Sequence, residues 1–271
     1  MRETAAVRFV DTHAHLDDPA FDADRDAVVL AAVGAGVRRI LNVGYQPEGW
    51  AASIALARRY PEISVMLGVH PQHADVYDAG VEEALGDALA LGQAVAIGET
   101  GLDFFRGGPD AGVQRRAFRA QLALGRRLDL PVVIHQRAAE EALIDVLAEM
   151  VDPPRLVLHS FEGSRRLAQF ALDRGAVLGI GGLATRGSSG ELRSVLATVP
   201  ASSVVMETDA PYLVPAGARG RRNEPANLPK IAARLAPLWG LSPQELAALT
   251  ASTAAAFFRL DRRRAAPPLE E

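Results

Sequence analysis

At 271 residues the chain is long enough for one large or two small domains, and its 49% apolar content can build a sizeable core. The absence of cysteine excludes disulfide staples, thiolate metal sites and a thiol nucleophile. A net charge of −4 argues against a protein that coats nucleic acid along its length, so any phosphate-bearing ligand must meet a local cationic patch.

The N-terminal segment MRETAAVRFVDTHAHL lacks the apolar stretch of a secretion signal. No apolar run reaches the roughly 20 residues of a membrane span, so a cytoplasmic protein is expected. A first strand is predicted near Val7–Val10 and runs into His13 and His15. An amphipathic segment, Asp22–Val33, stops at Gly34 and Gly36 and leads to a second strand near Val37–Val43. The third, Ile63–Val69, follows Pro61 and ends at His70; the fourth, Ala94–Ile97, stops just before Glu99. Helix Gln114–Arg127 precedes strand Val132–Ile134, which is closed by His135. Helix Ala139–Met150 and Pro153-Pro154 precede Leu156–Leu158, closed by His159. Helix Ser164–Asp173 leads to Ala176–Gly179, and an eighth strand, Val204–Met206, ends shortly before Asp209. Residues 1–260 read as one domain and 261–271 as a flexible tail.

The strands are continuous apolar runs rather than alternating ones, as expected where both faces of a parallel sheet are covered. Their alternation with helix-length segments predicts an α/β fold, a single (β/α)₈ TIM barrel of the usual size of about 250 residues. An open doubly wound sheet is the competitor, but no GxGxxG follows the first strand and the polar strand ends are spread over the whole chain. Only a closed ring sets strand one beside strand eight, and so His13 and His15 beside Asp209, at the C-terminal mouth.

His13 and His15, two apart in an extended segment, point the same way and can hold one ion. With Glu99, His135, His159 and Asp209 they make six ligating groups, more than the three protein ligands a single open catalytic zinc keeps. Six groups suit two divalent ions about 3.5–4 Å apart. His13, His15 and Asp209 are assigned to one ion, His135 and His159 to the other, and Glu99 to both. Zn²⁺, Mn²⁺ and Mg²⁺ are all compatible with these donors. Glu207 and Asp103 are expected to orient histidine rings by accepting their free N–H groups. His70 and Arg137 are candidate phosphate contacts, and the basic loop Arg219–Asn223 offers Arg222 and Asn223 beside the site. Trp50, Trp239 and most phenylalanines stand at helical spacing and read as core rather than as surfaces for stacked bases.

The segments FVDTHAHLDD, GVHPQHA, AIGETGLDFF, PVVIHQRAA, HSFEG, ETDAPYL and RGRRNEPANLP occur in order from Phe9 to Pro229. Together they resemble the TatD family of metal-dependent deoxyribonucleases, amidohydrolase-like TIM barrels. The resemblance implies a cytoplasmic phosphodiesterase that uses divalent ions on DNA ends or single strands, as a 3′-5′ exonuclease. It makes the same six residues the metal ligands, sets His70 near the scissile phosphate and puts Glu207 beside the ligands. Asp209 is then expected to take the proton of the attacking water, with Arg137 and His70 against the non-bridging oxygens. Three departures stand out: an extra residue between Pro71 and His73, which leaves His73 without a role, Thr253 in place of Asn, and Glu162 in place of a small residue.

Two other functions fit parts of the pattern. An amidohydrolase or esterase, acting on a small molecule or an aminoacyl-tRNA, would use the same metal site. Many binuclear relatives bridge their ions with a carboxylated lysine, but the only lysine here, Lys230, comes after the eighth strand. A metal-free binding or scaffold barrel would leave six ligating side chains without purpose. No helix face offers a clear self-complementary seam, so the sequence leaves the oligomeric state open, with a monomer favoured.

Overall fold

The computed structural model describes residues 9–91 and 94–260, so Val7, Arg8 and the tail 261–271 lie outside the described residues. Each strand bonds to the next in chain order in one eight-stranded parallel sheet. The strands are β1 (Phe9–Ala14), β2 (Val37–Gly44), β3 (Ile63–Leu67), β4 (Ala94–Asp103), β5 (Val132–Arg137), β6 (Leu156–Leu158), β7 (Val177–Ile180) and β8 (Val204–Met206). Between them run α1 (Arg25–Gly34), α2 (Trp50–Arg59), α3 (Ala79–Ala90), α4 (Ala111–Leu128), α5 (Glu140–Ala148), α6 (Arg165–Leu172) and α7 (Gly190–Leu196). α8 (Leu228–Leu235) and α9 (Pro243–Phe258) follow the last strand. The (β/α)₈ architecture expected from the sequence is the one that forms. Among the described residues no helix is long and apolar enough to cross a membrane.

The two-residue period of a strand sorts its side chains into two cores. Leu41, Val43, Met66, Ala96, Val133, Val157, Val177 and Val205 meet inside the ring together with Ala254 and Phe258 of α9. Their neighbours, among them Ile40, Leu67, Ile97, Ile134, Leu156, Leu158 and Ile180, pack outward against the helices. Leu156-Val157-Leu158 shows the rule in three residues, and explains why the runs are uninterrupted by polar side chains.

The ring closes between β1 and the chain following β8. The Asp209 amide donates to the His13 carbonyl at 2.9 Å, and the His15 amide donates to the Ala210 carbonyl at 2.7 Å. Ala14 and Ala210 form a parallel bridge. The Thr12 hydroxyl donates to the Met206 carbonyl at 3.1 Å. The fully buried Asp11 carboxylate accepts from the Thr208 amide at 2.9 Å and from the Thr208 hydroxyl at 2.6 Å. Its Oδ1 also faces the His13 amide at 3.3 Å.

β4 and β5 run further than their apolar segments. Pairing continues through Gly101 with His135, Leu102 with Gln136 and Asp103 with Arg137, so Glu99 and His135 sit within strands rather than after them. Gly101 permits this: at φ +139° a Cβ would lie 2.1 Å from the His135 carbonyl oxygen. α1 starts at Arg25 instead of Asp22, because Asp18 caps a separate short turn, Pro19–Phe21, with a 2.7 Å bond to the Ala20 amide. Ser164 is the cap of α6 rather than its first residue.

Burial pushes the Asp11 carboxyl up to about 7, against the hydrogen bonds from Thr208 and the His13 amide. The folded protein therefore keeps this proton through a range where an unfolded aspartate, with its pKa near 4, has lost it. Stability from this group is present at low pH and falls as pH rises toward 7, by at most about 1.4 kcal/mol per pH unit. Asp11→Asn removes the titrating group, keeps one acceptor oxygen for the Thr208 amide and can donate its own amide to the Thr208 hydroxyl. Its urea midpoint is expected to decline less with pH than that of the unmodified protein, and equal slopes would refute the assignment. Asp11→Ala, which strands buried donors, is expected to cost about 3 kcal/mol.

Candidate metal centre

The mouth of the barrel collects the side chains that end β1, β4, β5 and β6 and the chain just past β8. Glu99, buried, lies at the middle of the group. Its Oε2 faces β1, with His13 Nε2 at 3.3 Å and His15 Nε2 at 3.9 Å. Its Oε1 faces the other way, with His135 Nδ1 at 2.7 Å, His159 Nε2 at 3.7 Å and His70 Nε2 at 3.8 Å. Asp209 Oδ1 adds to the first side, 3.4 Å from His15 Nε2 and 3.9 Å from His13 Nε2. All six residues expected as ligands are thus gathered, with Glu99 between two sets of imidazoles.

Neighbouring carboxylates fix how the rings present their nitrogens. His135 Nε2 is 3.0 Å from Asp103 Oδ2, which leaves Nδ1 for the centre. His159 Nδ1 is 2.9 Å from Glu207 Oε1, which leaves Nε2 for the centre. Glu207 in turn accepts from the Ser160 amide at 2.6 Å. Room for its carboxylate comes from β7: a Cβ on Gly179 would lie 2.3 Å from Glu207 Oε2. Ser160 (φ 44°) and Asp209 (φ 57°) both turn in the left-handed region. That conformation costs a residue with a Cβ about 1–2 kcal/mol, and such strain concentrates at functional sites.

The charges are strongly coupled. Burial opposes ionisation of Glu99, yet the imidazoles of His159 and His13 outweigh it and hold the carboxyl well below the usual range. Burial also opposes a charge on His159, but Glu207 and Glu99 raise it to about 10. At His70 burial outweighs the opposing pull of Glu99, and the ring falls to about 3 and stays neutral. Because His70 Nδ1 accepts from the Gln72 amide at 3.1 Å, its proton must be on Nε2, pointing toward Glu99. His70 is accordingly a donor into the mouth, although its ring lies close enough to group with Glu99 and His135 around an ion.

Whether the remaining donors fit a cation is decided by His13. Its ring is fully buried and stacks on that of His159 at 3.4 Å, and among the described residues neither of its nitrogens has a hydrogen-bond partner. A buried unpaired acceptor costs about 1–3 kcal/mol, and a divalent ion among nitrogen and carboxylate donors removes that cost. His13, His15 and Asp209 also lie within the mutual reach of a single ion.

A cavity of about 730 Å³ opens over the cluster. Its walls include Tyr45, Tyr212, Glu162, His73 and the arginines 106, 137, 186 and 221. Two expected substrate contacts are elsewhere. Arg222 grips Asp24 with both terminal nitrogens, at 2.8 and 2.7 Å, reaches Glu224 at 2.8 Å and lies over the Phe21 ring. Its charge is already met, so it braces the loop against the start of α1 and does not line the cavity. Asn223 is buried, donating to the Thr208 carbonyl at 2.7 Å and accepting from the Glu224 amide at 2.8 Å. Of that basic loop it is Arg221 that faces the mouth. Sequence inspection missed Tyr45, which follows β2 just as the histidines follow their strands, and Asp11, whose partner is distant in sequence. Trp50 is buried as expected, whereas Phe105 is 67% exposed.

Comparison with known proteins agrees with the geometry. Residues 10–259 match the family described as TatD related DNase. The "3'-5' ssDNA/RNA exonuclease TatD" of Salmonella typhimurium is 39% identical over 256 residues, spanning 92% of this chain and 98% of that protein. Its counterpart in Escherichia coli K12 is 39% identical over 246 residues, spanning 89% and 95%. The crystal structure of the E. coli K12 TatD homologue YJJV superposes with a TM-score of 0.87 at 33% identity, covering 94% of this chain and 99% of that one. A barrel with this mouth, matched over nearly its whole length, makes the chain a member of the TatD family.

Proposed function

We propose that the protein is a metal-dependent exonuclease that removes nucleotides from the 3′ end of single-stranded DNA or RNA, with two divalent ions held at the mouth. The observation that carries this is the division of Glu99, one oxygen toward His13 and His15 and the other toward His135 and His159. The names of the curated relatives supply the substrate and polarity. His13, His15 and Asp209 would hold one ion, His135 and His159 the other, and Glu99 would bridge them. When bound, such ions lower the pKa of water and neutralise charge on a phosphate.

The chain's own groups then have distinct tasks. Asp209 engages the histidines through Oδ1, which leaves its second oxygen to accept the proton of the attacking water. His70 directs Nε2–H at a non-bridging phosphate oxygen, and its low pKa keeps it a neutral donor across the working pH range. Arg137 supplies positive charge at the same wall. Asp103 and Glu207 hold the rings of His135 and His159 in orientation.

The amidohydrolase alternative lacks its bridging lysine: Lys230 bonds Asn227 at 2.9 Å on α8 and is absent from the cavity wall. The metal-free scaffold alternative leaves the His13 nitrogens unpaired.

End-labelled single strands incubated with Mn²⁺, Mg²⁺ or Zn²⁺ are expected to yield a ladder shortening from the 3′ end, and chelation should stop it. Asp209→Asn is expected to slow turnover by roughly 10²–10⁴-fold. Glu99→Ala should in addition lower bound metal, read by elemental analysis; full turnover in both variants would overturn the assignment. Metal uptake should release protons, since a cation takes only the deprotonated His159 ring. Apparent Mn²⁺ affinity is therefore expected to rise with pH through the neutral range, and Glu207→Gln, which removes the chief charge raising His159, should flatten that rise.

A further inference from the structure

Outside the metal centre, the most unusual surface feature is the start of the loop joining β4 to α4. Phe105 is 67% exposed, beside the less exposed Phe104 at 37%, although the barrel has ample core to bury both. An isolated exposed aromatic is ordinary, but this one is braced. The Arg137 guanidinium lies over its ring at 4.2 Å, so one face is covered by a cation and the other is open. Arg137 simultaneously lines the mouth, and Arg106 does so next to Phe105. Among the described residues neither guanidinium has a carboxylate partner, in contrast to Arg222 on the far side.

The loop is also registered to the centre. Asp103 Oδ1 accepts from the Phe105 amide at 3.0 Å and from the Arg106 amide at 2.9 Å, while its Oδ2 holds His135. One carboxylate therefore sets both the ligand ring and the aromatic. The neighbouring hollow of about 570 Å³, between Phe104 and α5, is lined by Glu140, Glu141, Asp145 and Glu162 against a lone Arg115. A polyanion is turned away from there and toward Arg106 and Arg137.

We propose that Phe105, braced by Arg137, is the seat on which a base of the single strand stacks beside the scissile phosphate. The proposal rests on the nuclease reading above and adds a residue that selects unpaired strands, because only an unpaired base can offer its face to a side chain. Arg106 and Arg137 would meet the flanking phosphates.

The test pairs Phe105→Ala with two substrates: a single-stranded oligonucleotide, and the same strand carrying abasic residues next to its terminal nucleotide. On the intact strand Phe105→Ala is expected to raise KM about 10-fold with little change in kcat, and Phe105→Tyr to restore it. The abasic strand is expected to bind the unmodified protein about 10-fold more weakly and to be indifferent to Phe105→Ala. An unchanged KM on the intact strand, or an equal loss on the abasic one, overturns the seat while leaving the nuclease standing. Failure of the unmodified protein to cut the intact strand overturns both.

Discussion

Everything at the mouth depends on the seam where β1 meets the chain leaving β8. The Asp11 carboxylate crosses it to both donors of Thr208, and main-chain bonds join His13 to Asp209 and His15 to Ala210. Each of these contacts lies within two residues of His13, His15 or Asp209, so the seam that closes the ring also aligns those three side chains. A barrel left open there would keep its helices and most of its core, yet it would separate Asp209 from both histidines of β1. The burial of a carboxylate at that point is costly by itself, and its three hydrogen bonds offset the cost only in part.

The second organising element is the alternation of charge inward from Asp103 and Glu207, through His135 and His159, to Glu99. Each ring stands between two carboxylates, an arrangement that without a cation holds extra protons on the imidazoles. Buried charges of this density are tolerable because each is compensated by a neighbour. Around them the arginines divide into two kinds. Arg222, Arg25 and Arg59 are locked to aspartates and hold loops and helices together. Among the described residues the arginines of the mouth have no carboxylate partner, a natural place for a phosphate-rich ligand.

The strand order, the closed ring and the gathering of His13, His15, Glu99, His135, His159 and Asp209 were legible in the sequence, because a residue type repeated at strand ends survives any uncertainty about boundaries. Strand length was not legible. β4 continues through Glu99 to Asp103 because Gly101 lets β5 come close, and apolar character says nothing about that approach. Arg222 looked free because its partners Asp24 and Ala20 are brought to it only by the closed fold. Asp11 was invisible for the same reason, its bonds to Thr208 joining residues 197 positions apart in the chain. Tyr45 obeyed the strand-end rule and was passed over because its side chain is not a metal ligand.

β7 offers the centre no side chain, and its contribution is space. The Glu207 carboxylate occupies the space where a Gly179 side chain would project. Even a methyl group there would push that carboxylate from its place beside His159. The most chemically inert position in the ring thus bears on the His159 ring through a side chain it does not carry.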